Sequence, residues 1–165
     1  MSPSIRTDLV DAYVFRRAGG SIELLQLRRV DRPPETAWQP IMGHVEAGES
    51  GVETLWRELR EEVGLSPDDA AFVGAWALQG IHPYFLASRD AIMLSPRFAV
   101  EVRSGWAPTL NHEHNAWRWT PLAEAERAFG WPGQHGAIAE LAAITRRNAP
   151  PALDQLRLVP PATGQ

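Results

Sequence analysis

Gly43, Glu49, Arg57, Glu58, Glu61, Glu62 and Gly64 have the types and the spacing to assemble a site for a divalent cation. Carboxylate oxygens are hard ligands, and in a chain with no cysteine they favour Mg²⁺, Mn²⁺ or Ca²⁺ over zinc. A cation held this way can generate hydroxide from bound water and neutralise charge on a phosphate chain, so metal-assisted hydrolysis of a phosphate compound is the chemistry to expect. Plotted at roughly 100° per residue, Val52, Leu55, Trp56, Leu59 and Val63 form one apolar side of a helix. Glu58, Glu61 and Glu62 fall on the opposite side, where burial of the stripe would present them outward as a cluster. The like-charged pairs Glu58/Glu61 and Glu58/Glu62 each cost about 0.2 to 0.5 kcal/mol in an isolated helix. A bound cation reverses that penalty. Taken alone, the helix could equally be a solvated face, because Glu53, Arg57 and Glu61 form an i, i+4 ladder. The loop before it, with Gly43, Gly48 and Glu49 at fixed offsets, is not something solubility requires.

The elements that must position these residues read as mixed α and β. Leu9 to Arg17 is a strand, Ala18-Gly19-Gly20 a turn, and Ile22 to Leu27 a second strand, together a hairpin. Val30 to Thr36, with its Pro-Pro pair, is a loop, and Ala37 to Met42 returns to extended structure. Ser50 with Glu53 forms a capping box at the start of the helix, and Gly64 suits a left-handed residue just past its end. Phe72 to Leu78 and Ala91 to Arg103 are strands, the second interrupted at Ser95-Pro96 in the manner of an edge strand or bulge. Asn115 to Trp119 is a further strand, and Thr120-Pro121 is expected to cap and open a helix over Leu122 to Ala128. A last helix is expected from Gln134 to Arg147. The prolines at 150, 151, 160 and 161 argue against any regular element beyond it. The expected organisation is one domain over residues 1–149 with a Pro-containing arm or tail over 150–165.

The segment GHVEAGESGVETLWRELREEVGL resembles the Nudix hydrolase box. That box reads Gly, five residues, Glu, seven residues, Arg-Glu, an aliphatic, any residue, Glu-Glu, any residue, Gly, an aliphatic, and every fixed position matches. The resemblance implies an α/β/α sandwich around a mixed sheet and a Mg²⁺ cofactor for which Mn²⁺ can substitute. It implies metal ligation by Glu58 and Glu62, with Glu61 close behind, Gly43 at the metal and Glu49 contributing from the loop. Arg57 would orient a catalytic carboxylate through its planar guanidinium. Which carboxylate acts as base varies within the family. LQLRRVDRPPETAWQPIMGHVEAGES together with LNHEHNAWRW resembles, more loosely, the dihydroneopterin triphosphate and dATP pyrophosphohydrolase branch. In that branch a Glu followed by His, ahead of an aromatic strand, reaches the metal, which here is Glu113 before His114; His112 and His114 themselves read as surface or packing residues. Arg28 and Arg29 could grip the triphosphate, and Trp38 and Gln39, with His82 and Phe85, could line a ring pocket.

The implied reaction cleaves a dATP-like nucleoside triphosphate or a pterin triphosphate to monophosphate and pyrophosphate. A hydrolase of dinucleoside polyphosphates or capped RNA 5′ ends is the alternative within the class, and a non-catalytic nucleotide-binding module, which commonly loses box carboxylates, the alternative outside it. A net charge of −4 disfavours stable nucleic-acid or anionic-membrane partners. No segment has the length of a membrane span and no basic, apolar leader opens the chain, so a cytoplasmic protein is expected, as a monomer or a homodimer. Most of the seven Trp residues read as core.

Overall fold

The computed structural model describes residues 2–146 and 152–161. Its framework is the hairpin of β2 (Leu9–Ala18) and β3 (Ser21–Arg29), with a short β1 (Ser4–Arg6) before it. Ala18 pairs with Ser21, leaving Gly19 and Gly20 as a two-residue turn with φ of 56° and 82°. Left-handed geometry at both centres matches the twist of the flanking strands, and glycine adopts it without steric cost. The main sheet has seven strands, and its long path runs β10 (His114–Pro121), β3, β2, β9 (Arg97–Val102), β6 (Phe72–Leu78). Two short strands join it: β4 (Trp38–Gln39) pairs with β3, and β5 (Ile41–His44) pairs with β2. The β2–β9 pairing is parallel and the others are antiparallel, so the sheet is mixed.

Both faces of this sheet are covered, because alternate residues of its strands are apolar on each side. Val10, Ala12 and Val14 of β2 pack with Leu55, Leu59 and Val63 of α1 (Gly51–Val63). Tyr13 and Phe15 pack on the other face with Ala125 of α2 (Ala125–Ala128) and Ile138 and Leu141 of α3 (His135–Ile144). The result is the expected α/β/α layering. Helix α1 starts at Ser50, whose hydroxyl accepts from the Glu53 amide while the Glu53 carboxylate accepts from the Ser50 amide, and it ends on Gly64 at φ 69°.

Three local expectations are corrected. The Ser95-Pro96 break is neither bulge nor edge: it separates β8 (Ala91–Met93) from β9, and the two belong to different sheets. Strand β8 forms a second, three-stranded sheet between β1 and β7 (Tyr84–Leu86). Pro121 is the last residue of β10 rather than the first of a helix, and a 3₁₀ turn over Leu122–Glu124 precedes α2. Strand β10 lies at the edge of the sheet, where a residue without an N–H is tolerated. Near the C-terminus a one-turn helix, α4 (Leu153–Leu156), is followed by a hydrogen bond from the Leu158 amide to the Ala75 carbonyl, 2.8 Å, alongside β6. The expected helix end at Arg147, and Pro150 and Pro151, lie outside the described residues. Among those described, no helix is long and apolar enough to cross a membrane.

Candidate active site

Helix α1 does more than display its glutamates. Glu58 and Glu62 are buried, at 8% and 2% exposure, while Glu61 keeps 56% of its side chain in solvent. The cluster is therefore split, which corrects the expectation of three carboxylates on one open face. The cause is β5, which lies against α1 on the flank that carries Glu58. A Cβ built on Gly43 would stand 2.0 Å from the Glu58 carboxyl carbon, so only glycine leaves room for that side chain. Gly43 faces the helix because it pairs with Val10 across the β5–β2 ladder.

Arg57 is the tie that orders these groups. Its Nε and Nη2 donate to the two oxygens of Glu49 at 2.8 and 3.1 Å, its Nη1 to Glu58 Oε1 at 2.7 Å and Glu61 Oε2 at 3.2 Å, and its Nη2 also to the His44 carbonyl at 2.8 Å. Glu49 also accepts from the Thr54 hydroxyl and the Glu46 amide. The Arg57 hydrogen bonds are the main reason its carboxyl is held down at about 2. The planar fork matches a carboxylate bidentately, as lysine could not. The loop carboxylate Glu49 is thus bound to Arg57.

Glu113 reaches the same place from the start of β10, and Arg29 Nη1 donates to its Oε2 at 2.9 Å. Arg29 is held also by Asp31. Beneath them His114 is buried, its Nδ1 3.3 Å from Asn111 Oδ1 and its Nε2 3.8 Å from Glu62 Oε2. Burial and then the Arg29 charge lower the His114 pKa to about 4, so the ring is neutral at pH 7. Sequence reasoning placed His114 among surface or packing residues and missed that it backs Glu62.

Among the described residues Glu62 Oε2 has no hydrogen-bond partner. Burial first, then the charges of Glu58 and Glu113, push its carboxyl up to about 9. Glu58 is raised too, because burial outweighs the pull of Arg57. A folded pKa above the unfolded one means the folded state holds the extra proton between the two values, so stability falls as pH rises through that interval. His114 and Asp11, whose carboxyl burial pushes up to about 6, titrate below 6.5. Between pH 6.5 and about 9, Glu62 should dominate the trend. The metal-free protein is expected to lose stability there, by up to about 1.4 kcal/mol per pH unit. Thermal unfolding in chelator across that range checks it, and Glu62→Gln should flatten the slope.

A cavity of about 750 Å³ opens over these groups, lined by Glu58, Glu62, Glu113, Gly43, Arg29 and Gln39 among others. That volume suits one small organic ligand. Arg32 and Arg89 also line it, two cations that sequence reasoning did not single out. Arg28 and Trp38 are not brought to it. Successive strand residues point to opposite faces, so Arg28 turns away from Arg29 and donates to Asn115 at 2.7 Å. Trp38 lies under the Arg118 guanidinium, 4.1 Å from its ring centroid. His82 is packed against Gly136 rather than in the cavity, whereas Phe85 lines it. Trp38→Ala is accordingly expected to leave the Michaelis constant within about twofold and to cost roughly 1 kcal/mol of stability through the lost cation–π contact. Steady-state kinetics with a denaturant melt separate the two effects.

A cation fits what is present. Glu62 offers an orphaned acceptor, Glu58 and Glu113 add like charge beside it, and all donors are oxygens. Among the described residues no three such side chains already converge at metal-ligand spacing.

The sequence model for the NUDIX domain matches residues 6–141. Over 70 residues the chain is 59% identical to the RNA pyrophosphohydrolase of Halorhodospira halophila, covering 41% of this chain and 39% of that protein. It is 35% identical over 98 residues to the asymmetrical bis(5′-nucleosyl)-tetraphosphatase of Sus scrofa, covering 53% and 58% of the two chains. Both alignments span less than two thirds of the relatives' length. The structure of the E. coli dihydroneopterin triphosphate pyrophosphohydrolase superposes with a TM-score of 0.69 at 19% identity, over 84% of this chain and 97% of that one. Members of this family generally use a divalent cation. With the domain match spanning the sheet, the box helix and the cavity alike, this chain belongs to the Nudix hydrolase family.

Proposed function

We propose that this chain is a Mg²⁺-dependent pyrophosphohydrolase that cleaves a nucleoside or pterin triphosphate to monophosphate and pyrophosphate, with Mn²⁺ able to replace Mg²⁺. The observation that carries the reading is the gathering of Glu58, Glu62 and Glu113 in a cavity wall that also holds Arg29, Arg32 and Arg89. Glu58, Glu62 and Glu113 would hold the cation, with Gly43 giving Glu58 its space and Glu61 at the rim. When bound, the cation supplies an activated water and neutralises phosphate charge. Arg29, hydrogen-bonded to Glu113, would bind the phosphate chain, and Arg57 holds Glu58 and the loop carboxylate Glu49 in register. Gln39, on the wall, can hydrogen-bond the organic group.

Cleavage of dinucleoside polyphosphates or of RNA 5′ ends is the second reading, favoured by the names of the two curated relatives. A non-catalytic binding module is disfavoured because no box carboxylate is missing. The test is incubation with Mg²⁺ and a panel of dNTPs, NTPs, ADP-ribose, diadenosine polyphosphates, 5′-triphosphorylated RNA and dihydroneopterin triphosphate, with phosphate release followed after added pyrophosphatase. Turnover of the mononucleotide or pterin triphosphates ahead of the others supports the reading. Turnover of none would overturn it.

A further inference from the structure

The cavity has a second polar wall that the hydrolytic groups do not use. Asp11 and Arg97 are direct partners across the parallel β2–β9 ladder, and both are 2% exposed. Their neighbours Tyr13 and Ala99 pack in the α3-side core, so the pair faces away from α1. Arg97 Nε stands 3.4 Å from Asp11 Oδ2, and Arg97 Nη2 donates to the Gly133 carbonyl at 2.6 Å. Asp11 Oδ1, Arg97 Nε and Nη1, and Gln134 Oε1 are buried without a hydrogen-bond partner among the described residues. Asp11, Arg97 and Gln134 all line the cavity, and so do the aromatic rings of Tyr84, Phe85 and Trp131. Phe85 and Trp131 are 57% and 46% exposed, which leaves ring surface open for stacking.

Buried polar atoms almost always find partners, and each one left alone costs about 1 to 3 kcal/mol. Several together beside one cavity, with flat apolar rings near them, describe a recognition site for a planar heterocycle that brings its own donors and acceptors. The chemistry of the set narrows which heterocycle. A carboxylate accepts only, so it fits a ring N–H beside an exocyclic amine, and a guanidinium donates only, so it fits a ring carbonyl. Adenine has an amine but neither a ring carbonyl nor, when neutral, a ring N–H on its pairing edge.

We propose that the Asp11–Arg97–Gln134 wall reads the 2-amino-4-oxopyrimidine edge that guanine and dihydropterin share, and so selects guanine or pterin substrates against adenine ones. Asp11 accepts from the ring N–H and the 2-amino group, Arg97 donates to the ring carbonyl, Gln134 Oε1 accepts a further ring or amino N–H, and the exposed aromatics stack on the ring. The free atoms are buried although their residues line the cavity, so engaging them requires the side chains to rotate towards the ring. The proposal rests on the reading of this cavity as the substrate site, but its test need not involve hydrolysis.

Isothermal titration in chelator with guanosine 5′-monophosphate, adenosine 5′-monophosphate and 7,8-dihydroneopterin measures recognition without turnover. The expected result is guanine or pterin binding at least about tenfold tighter than adenine, a discrimination typical of a hydrogen bond matched or missed in a buried site. Which of the two binds identifies the source of the edge. Asp11→Asn, which replaces one acceptor by a donor, should reduce the guanine-to-adenine affinity ratio about tenfold or more. Because that change leaves Arg97 with a weaker buried partner and could disturb folding, Gln134→Leu serves as a second variant outside the ion pair, and it should reduce the same ratio. Adenine binding as tightly as guanine and pterin, or none of the three binding, would overturn the proposal. Selective binding with no hydrolysis of any panel member would instead remove the proposed reaction and leave this inference standing.

Discussion

Glu62→Gln is expected to lower turnover by more than the roughly 10- to 100-fold that loss of an outer metal-shell partner costs, with circular dichroism unchanged. Glu62 is 2% exposed, and among the described residues no group hydrogen-bonds its Oε2. Glutamine keeps the shape and removes the negative charge a cation needs. Burial holds the Glu62 carboxyl up at about 9, so wild-type folding at pH 7 must take up a proton that the near-isosteric amide does not need, and the metal-free variant should unfold at a higher temperature than the wild type. Adding Mg²⁺ should narrow that difference: the wild type gains stability by mass action, and the variant gains much less. Turnover within about threefold of wild type, or an undiminished Mg²⁺ stabilisation, would remove Glu62 from the metal site.

Gly43→Ala should be nearly as damaging through a different cause. The added methyl carbon would fall 2.0 Å from the Glu58 carboxyl carbon and 2.2 Å from its Cγ, distances at which one of the two must move. Moving Glu58 breaks its 2.7 Å hydrogen bond from Arg57 and displaces the carboxylate from the cavity. Overpacking of this kind costs about 1 to 3 kcal/mol, and the misplaced carboxylate should lower turnover about 100-fold, the scale on which a displacement of about 1 Å acts. The double variant Gly43→Ala, Glu58→Ala separates the two effects, since removing the Glu58 side chain relieves the clash. Its melting temperature should recover towards that of Glu58→Ala alone while turnover stays lost. Recovery of turnover in the double variant would show that Glu58 has no part in the reaction.

The box helix was legible in the sequence because everything that defines it is local. The apolar period of Val52, Leu55, Leu59 and Val63, the Ser50–Glu53 capping box and the Gly64 cap act within one element, and all three stand in the structure. The Gly19-Gly20 hairpin was legible for the same reason. Where local signals carried two meanings, they misled. Thr120-Pro121 is a sound helix start on chemistry alone, yet pairing of Thr120 with Leu24 and Pro121 with Glu23 keeps both in β10. The Ser95-Pro96 break marked an interruption, but only tertiary pairing showed that the chain changes sheets there.

The same division runs through the site. Helix geometry alone dictates, from residue spacing, that carboxylates one turn apart stand with an arginine beside them. That Glu58 and Glu62 are buried while Glu61 is not follows from packing between distant segments, because it depends on β5 lying against α1 at Gly43. That Arg29 meets Glu113 whereas Arg28 turns away is likewise a consequence of strand alternation once β3 and β10 are in register. Asp11 and Arg97 carry no sequence signal of each other. A parallel pairing joins two distant segments, and no pattern within either one can announce its partner.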